Sequence, residues 1–149
     1  MTIPVRPHGP ASEHDVADVE RQLGVTFPHA YREFLLTAGG GTLGEHVAIP
    51  GTNRNGLINQ FESVDKLVRY QNFEPHELIP PGYTVIALGD GGSLAIRTAA
   101  DDYGSMWWAD FDKADEIDAA GETPEGPTPQ IMSRLADDFP AVLAILDIS

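Results

Sequence analysis

The stretch that most constrains this chain is residues 23–40, Leu-Gly-Val-Thr-Phe-Pro-His-Ala-Tyr-Arg-Glu-Phe-Leu-Leu-Thr-Ala-Gly-Gly. Gly24 directly follows an apolar periodic run, where a left-handed helix cap favours a residue without Cβ. Pro28 suits a first helical turn, because its missing N–H has no intrahelical partner there. Tyr31, Phe34, Leu35 and Ala38 then recur at i, i+3, i+4 and i+7, which places them on one helix face. Gly39, Gly40 and Gly41 end that helix. Two short helices joined by a tight elbow cannot bury an aromatic face alone, so the remainder of the chain is expected to cover Tyr31, Phe34 and Leu35.

The flanking sequence reads as alternating elements. Residues 1–11 carry three prolines and a glycine and read as an extended arm. Ser12 suits an N-cap, with Asp15 at capping-box spacing and Glu13 and Asp15 at the favourable end of the helix dipole. Val16, Val19 and Leu23 mark the apolar side of this first helix. Val47, Ala48 and Ile49 predict a short strand, and residues 52–56 have turn chemistry. Ser63 is expected to cap a third helix with Val64, Leu67 and Val68 as its apolar side and Pro75 beyond its end. Residues 83–88 are the clearest strand, followed by an Asp90-Gly91 hairpin turn and a return strand at 94–98. A second turn at 99–104 leads to a third strand at 106–111, which makes an antiparallel meander. Residues 112–130 are acidic, rich in Pro and Gly, and expected to form a partly mobile loop. Residues 131–136 suit a last edge strand. Asp137 or Asp138 then caps a final helix with Phe139, Val142, Leu143 and Leu146 inside.

This order predicts an α+β domain in which an antiparallel β-sheet packs against N-terminal helices and a C-terminal helix. With 149 residues, the chain has the length of a single domain, 1–149, with a core from about residue 12 to residue 146. It contains no cysteine, so disulfides, thiolate zinc sites and thiol nucleophiles are excluded. The opening residues lack the apolar core of a leader and no run approaches membrane-spanning length, so the expected location is cytoplasmic.

The formal charge is −14, and it is unevenly spread. Residues 1–60 hold four bases and six acids, whereas residues 61–149 hold five bases and seventeen acids. Nucleic acid and anionic membrane are therefore poor partners, because phosphate binding depends on Lys and Arg. A protein with a basic surface is the partner that such a field would steer toward, although the same charge also serves solubility.

Motifs for chemistry are sparse. The five histidines show no i, i+4 metal pair. Gly39-Gly40-Gly41 follows a helix C-terminus, where carbonyls repel an anion, so it is no phosphate loop. The run Asp110, Asp112, Asp115, Glu116, Asp118 lacks the glycine and glutamate of an EF-hand loop at the required places, and at most an irregular calcium site remains. No Gly-x-Ser-x-Gly elbow occurs. No catalytic residue, metal or cofactor is assigned. Trp107 and Trp108 are adjacent on a strand and point to opposite faces. Either one faces a partner or both are buried on a covered sheet. The candidate partner-binding residues are Asp101, Asp102, Trp107, Trp108, Asp110, Asp112, Asp115, Glu116 and Asp118. They lie in the segment 101–125, which has nine acids and one lysine.

The ordered pieces resemble a known family. They are the capped first helix, Leu23-Gly24, the Pro28-x-x-Tyr31-x-x-Phe34-Leu35 helix and the glycine cluster. Ile86-x-Leu88-Gly89-Asp90 before Leu94, Trp107-Trp108-x-Asp110, and Leu135-Ala136-Asp137-x-Phe139-x-x-Val142-Leu143 follow. In that order they resemble the SUKH superfamily, which includes Smi/Knr-like cell-wall-assembly regulators and bacterial toxin-immunity proteins. Ala87, Phe111 and Gly39 stand where that pattern usually has proline, histidine and asparagine. The resemblance implies an α+β, mostly non-catalytic protein-binding module. It further implies an immunity protein that blocks a toxin stoichiometrically, with a regulatory scaffold as the alternative and a metal-dependent enzyme as a remote one.

Overall fold

A computed structural model describes residues 2–52, 56–72, 76–122 and 126–149. Parts of the expected turn at 52–56, Pro75 and Glu125 lie outside the described residues.

Helix α1, Glu13–Leu23, opens as expected: the Ser12 hydroxyl accepts the Asp15 amide at 3.0 Å. It closes at Gly24 with φ 69°, whose amide donates to the carbonyls of Glu20 and Arg21. Helix α2, His29–Ala38, follows, with Pro28 as its N-cap, one place earlier than expected. The elbow between them is locked by Glu20. Its carboxylate accepts the Phe27 amide at 2.7 Å and Arg32 Nε at 3.0 Å, and Arg32 also pairs with Glu13. Tyr31 and Leu35 are buried, and Phe34 is partly buried, as their spacing required.

What covers that face is a seven-stranded antiparallel sheet in sequence order, β1 to β7. The strands are Arg6–Pro7, Gly41–Ala48, Leu57–Phe61, Tyr83–Asp90, Gly92–Arg97, Met106–Asp110 and Met132–Ala136. The expected meander is strands β4 to β6. Strand β3 carried no clear sequence signal, because Asn59 and Gln60 interrupt its alternation. The hairpin between β4 and β5 turns on Gly91 alone, at φ 76°. Strand β6 ends at Asp110, so Phe111 begins a helix and does not end the strand.

Three further expectations are corrected. The third helix is a 3-10 turn, Val64–Lys66, running into a four-residue helix α3, Leu67–Tyr70. Ser63 stands at its N-cap position but makes no side-chain cap bond; its hydroxyl meets His8 Nδ1 at 2.7 Å. Helix α3 is instead tied to β4 by Gln71, whose amide side chain bonds both the N–H and the C=O of Val85. The segment 112–130 is not a loop throughout: Phe111–Ala119 forms helix α4, and Pro129–Ile131 a 3-10 turn. Helix α5, Phe139–Ile145, is capped by Asp138, whose Oδ1 accepts the Ala141 amide at 2.8 Å.

The arm is bound along its length. Arg6 and Pro7 pair with Thr42 and Gly41, Ile3 bridges Ile148, and His8 reaches Thr42 and Ser63. This explains the glycine triplet beyond a helix stop. A Cβ on Gly39 would collide with the Gly9 carbonyl of the arm, and one on Gly40 would lie 2.6 Å from the Glu62 carbonyl.

The main core lies between the helices and one sheet face. Its centre is a set of five rings, Phe27, Tyr31, Phe34, Phe61 and Phe139, with neighbouring centroids 5.1 to 6.4 Å apart. Edge-to-face pairs of this kind add to the burial itself. Trp108 is fully buried, its indole lying over Gly56, Gly89 and Gly92, where no side chain would fit. A smaller cluster of Leu78, Ala109, Ala114 and Ile131 forms on the opposite face under α4.

Among the described residues three buried side-chain atoms without a hydrogen-bond partner oppose this packing: Tyr31 OH, Trp108 Nε1 and Glu62 Oε2. Glu62 is 2% exposed, and its Oε2 has no hydrogen-bond partner among the described residues. Burial pushes its carboxyl above the ordinary glutamate range. Nearby Tyr31 is pushed up by burial first and by the Glu62 charge second.

Two outcomes follow for stability. Gly24→Ala meets open space but keeps a positive φ and should lose about 1 kcal/mol, whereas Gly40→Ala adds a backbone collision and should lose about 3 kcal/mol or more in denaturant unfolding. For Glu62 the folded-state pKa lies above the unfolded one. Its neutral form is therefore tolerated at low pH, and stability is lost as pH rises from the unfolded value through the folded one. Glu62→Gln should accordingly gain stability over the parent chain progressively as pH rises above the ordinary glutamate range, about 4. A difference that does not change with pH would show that Glu62 does not titrate between the two states.

Candidate functional site

The acidic residues singled out in the sequence separate into three groups. Trp108 and Asp110 are buried, so neither side chain lies on the surface. Asp110 works as an N-cap: its Oδ1 accepts the amides of Asp112 at 3.1 Å and Lys113 at 3.3 Å, which starts α4 at the end of β6.

Asp101 and Asp102 occupy the turn between β5 and β6, at the far end of β6 from α4. Both are engaged. Arg97 Nη2 donates to Asp101 at 2.9 Å, and Arg134 forms a two-pronged pair with Asp102 at 2.8 and 2.9 Å. These guanidiniums hold both carboxyls below the ordinary aspartate range. Trp107 lies beside them, half-buried, its indole N–H donating to Ser105 Oγ at 2.8 Å.

The third group is Asp112, Asp115, Glu116 and Asp118 on α4. Ala114 and Ile117 turn one side of this helix into the smaller core, which leaves the carboxylates outward. Among the described residues none of these four forms an ion pair. The one base within the helix, Lys113, donates to Ser133 Oγ at 3.0 Å. Exposed Asp90 joins the strip from the hairpin tip, because the Gly91 carbonyl accepts the Phe111 amide at 2.9 Å. No linear motif signals this juxtaposition; only pairing of Gly92 with Asp110 produces it.

The electrostatics of α4 are favourable at its start, where Asp112 lies in the first turn, and unfavourable at its end. Its last turn has acids and no base, although the C-terminal end carries negative partial charge that favours cations. An outward, unpaired carboxylate strip of this kind attracts a basic surface over distance and offers open acceptors on contact.

The concave features differ in character. A cleft of about 460 Å³ runs under the elbow, between Leu23–Val25 and residues 79–85. Its polar groups are already engaged: Gln71 with Val85, and His76 through Nε2 with Ser93 Oγ at 2.9 Å and through Nδ1 with the Tyr70 carbonyl. A carbonyl only accepts, so Nδ1 carries the proton and Ser93 donates to Nε2. Burial lowers the His76 pKa, which keeps the ring neutral. Among the described residues no three His, Asp or Glu side chains converge as a metal-ligand group, and no helix is long and apolar enough to cross a membrane.

Comparison with known proteins bears on the whole body that carries this strip. Residues 10–144 match the family described as "SMI1 / KNR4 family (SUKH-1)". The chain is also 31% identical over 111 residues to a Bacillus subtilis (strain 168) protein named "Uncharacterized protein YnaB", an overlap of 74% of this chain and 67% of that one.

The strip depends on its cap. Asp110→Ala removes the acceptor for two amides and should lower stability by about 1–2 kcal/mol, with reduced helix content by circular dichroism. Asp110→Asn keeps an acceptor oxygen and should lose less.

Proposed function

The chain belongs to the SMI1/KNR4 family (SUKH-1), and we propose from that premise that it is an immunity protein that neutralises a bacterial toxin by stoichiometric binding. Members of this family are mostly non-catalytic. The partner would present a basic surface, and the contact on this chain would be the α4 strip of Asp112, Asp115, Glu116 and Asp118, extended by Asp90.

The observation that carries this reading is that α4 leaves Asp115, Glu116 and Asp118 exposed and, among the described residues, without an ion pair, with Glu116 and Asp118 set against the negative end of its dipole. Such an arrangement lowers the stability of the helix, and stability given up at a surface is a common mark of a functional requirement. Asp101 and Asp102 are left out of this strip, because each is bonded to an arginine of the same chain. The mechanism is steric and electrostatic blockade: the field brings the toxin in, and the rigid sheet behind α4 holds the strip in place.

The test is titration against bacterial toxin domains with a basic surface, beginning with the product of any toxin-like gene that neighbours this one. A 1:1 complex is expected, with association slowing as salt rises because exposed charges are screened. Changing Asp115, Glu116 and Asp118 together to Asn, Gln and Asn should slow association about tenfold or more at low salt. The same change should leave the melting temperature unchanged or raise it. Unaltered association at low salt would remove the strip from the reading. Absence of any complex, and of protection in cells challenged with the toxin, would remove the immunity role itself.

A further inference from the structure

The second face of the sheet is not wholly covered. Register places Tyr83 opposite Arg97, Ala95 opposite Trp107, and Trp107 opposite Arg134, so all share the face on which Ala109 packs under α4. The cover stops short of Tyr83, Arg97, Trp107 and Arg134, which remain partly exposed.

These four groups are held rigidly. The Arg97 guanidinium lies 4.5 Å from the Tyr83 ring centroid, and Tyr83 meets Trp107 edge-to-face at 5.3 Å. Arg134 is fixed by its fork on Asp102 and by Asp137 at 2.8 Å. Trp, Tyr and Arg are the residue types that most often anchor protein contacts, and anchors work best when already ordered.

The charge pattern selects the occupant. The chain has nine lysines and arginines against 23 acids, yet two of the nine bracket this one tryptophan. Around Trp107 the signs alternate: Arg97 and Arg134 against Asp101, Asp102 and Asp137. Asp101 and Asp137 are each bonded to arginine through one oxygen and are 84% and 86% exposed. A two-fold contact brings a patch against itself, so it must carry both signs; a surface of one sign repels its copy. This patch meets that condition and the α4 strip does not.

We propose that the Tyr83, Arg97, Trp107, Arg134 patch is a two-fold self-association surface, occupied by a second copy of this chain. Trp107 packs at the axis, and each copy's arginines face the open oxygens of the other's Asp101 and Asp137. The inference is independent of the toxin reading, and its salt dependence has the opposite sign. Two chains of charge −14 repel each other, so screening that repulsion tightens the dimer, whereas the same screening weakens a basic partner on α4.

Sedimentation from about 1 μM to about 1 mM protein spans specific to weak association, and salt of about 0.05 M and about 0.5 M spans long to short screening lengths. The expected result is a monomer–dimer equilibrium that tightens at high salt. Trp107→Ser should raise the dimer dissociation constant at least about tenfold. Because Trp107 is partly buried, Asp137→Lys at a position 86% exposed provides a second variant with the same expectation and little risk to folding. Acrylamide quenching of the unaltered chain should fall as dimer forms, since Trp108 is buried and Trp107 is the accessible ring. A chain that stays monomeric at about 1 mM in both salts overturns the proposal. So does a dimer that neither variant weakens and that leaves quenching unchanged.

Discussion

The structure depends on one ring, Phe139. Its centroid lies 5.3 Å from Tyr31, 5.1 Å from Phe34 and 5.6 Å from Phe61. It thereby joins α2, β3 and α5, three elements far apart in the chain. Closing such long loops costs conformational entropy that no local turn can offset. The shared burial of five aromatic side chains is what offsets it, and the rest of the fold is placed around that cluster. The Glu20–Arg32 lock and the Gly24 cap hold the elbow at the angle that presents Tyr31 and Phe34 to it.

Around this centre the molecule tolerates unfavourable groups in two places with different consequences. Glu62 is buried close to Tyr31 with one oxygen unpartnered among the described residues, which subtracts from stability as the carboxylate ionises. Helix α4 sets acids against its negative end on the outer surface, where solvent moderates the penalty and the charge remains available. The acidic segment therefore divides by role. Asp110 caps the helix, Asp101 and Asp102 pair with the arginines beside Trp107, and the α4 carboxylates form no ion pair among the described residues.

Much of the architecture was legible because it is written in local periods. The apolar spacing of α1, α2 and α5, the Ser12 cap, a cap at Asp137 or Asp138, Gly24 and the β4–β6 meander all follow from backbone geometry within a few residues. The family pattern rests on the same positions, and Phe34, Tyr31 and Leu35 turn inward as their spacing demands. Strand β3 was not legible, because the polar pair Asn59 and Gln60 interrupts its apolar residues and breaks their alternation. Helix α4 was not legible either. Its acids resemble those of a loop, and its burial relies on Ile131 and Leu78, which arrive from elsewhere in the chain.

The sequence alone determined the class of fold, the absence of cysteine chemistry and the excess of acid in residues 61–149, because these depend on composition and on spacing along one element. Tertiary structure alone decided which tryptophan is interior, which carboxylates are already paired, why three glycines stand in a row, and that Asp90 meets α4. Each of those outcomes is set by a neighbour distant in sequence: Arg134 for Asp102, the Gly9 carbonyl for Gly39, and Gly91 for Phe111. Charge can be counted along a chain, but whether it is free or neutralised depends on what folding places beside it.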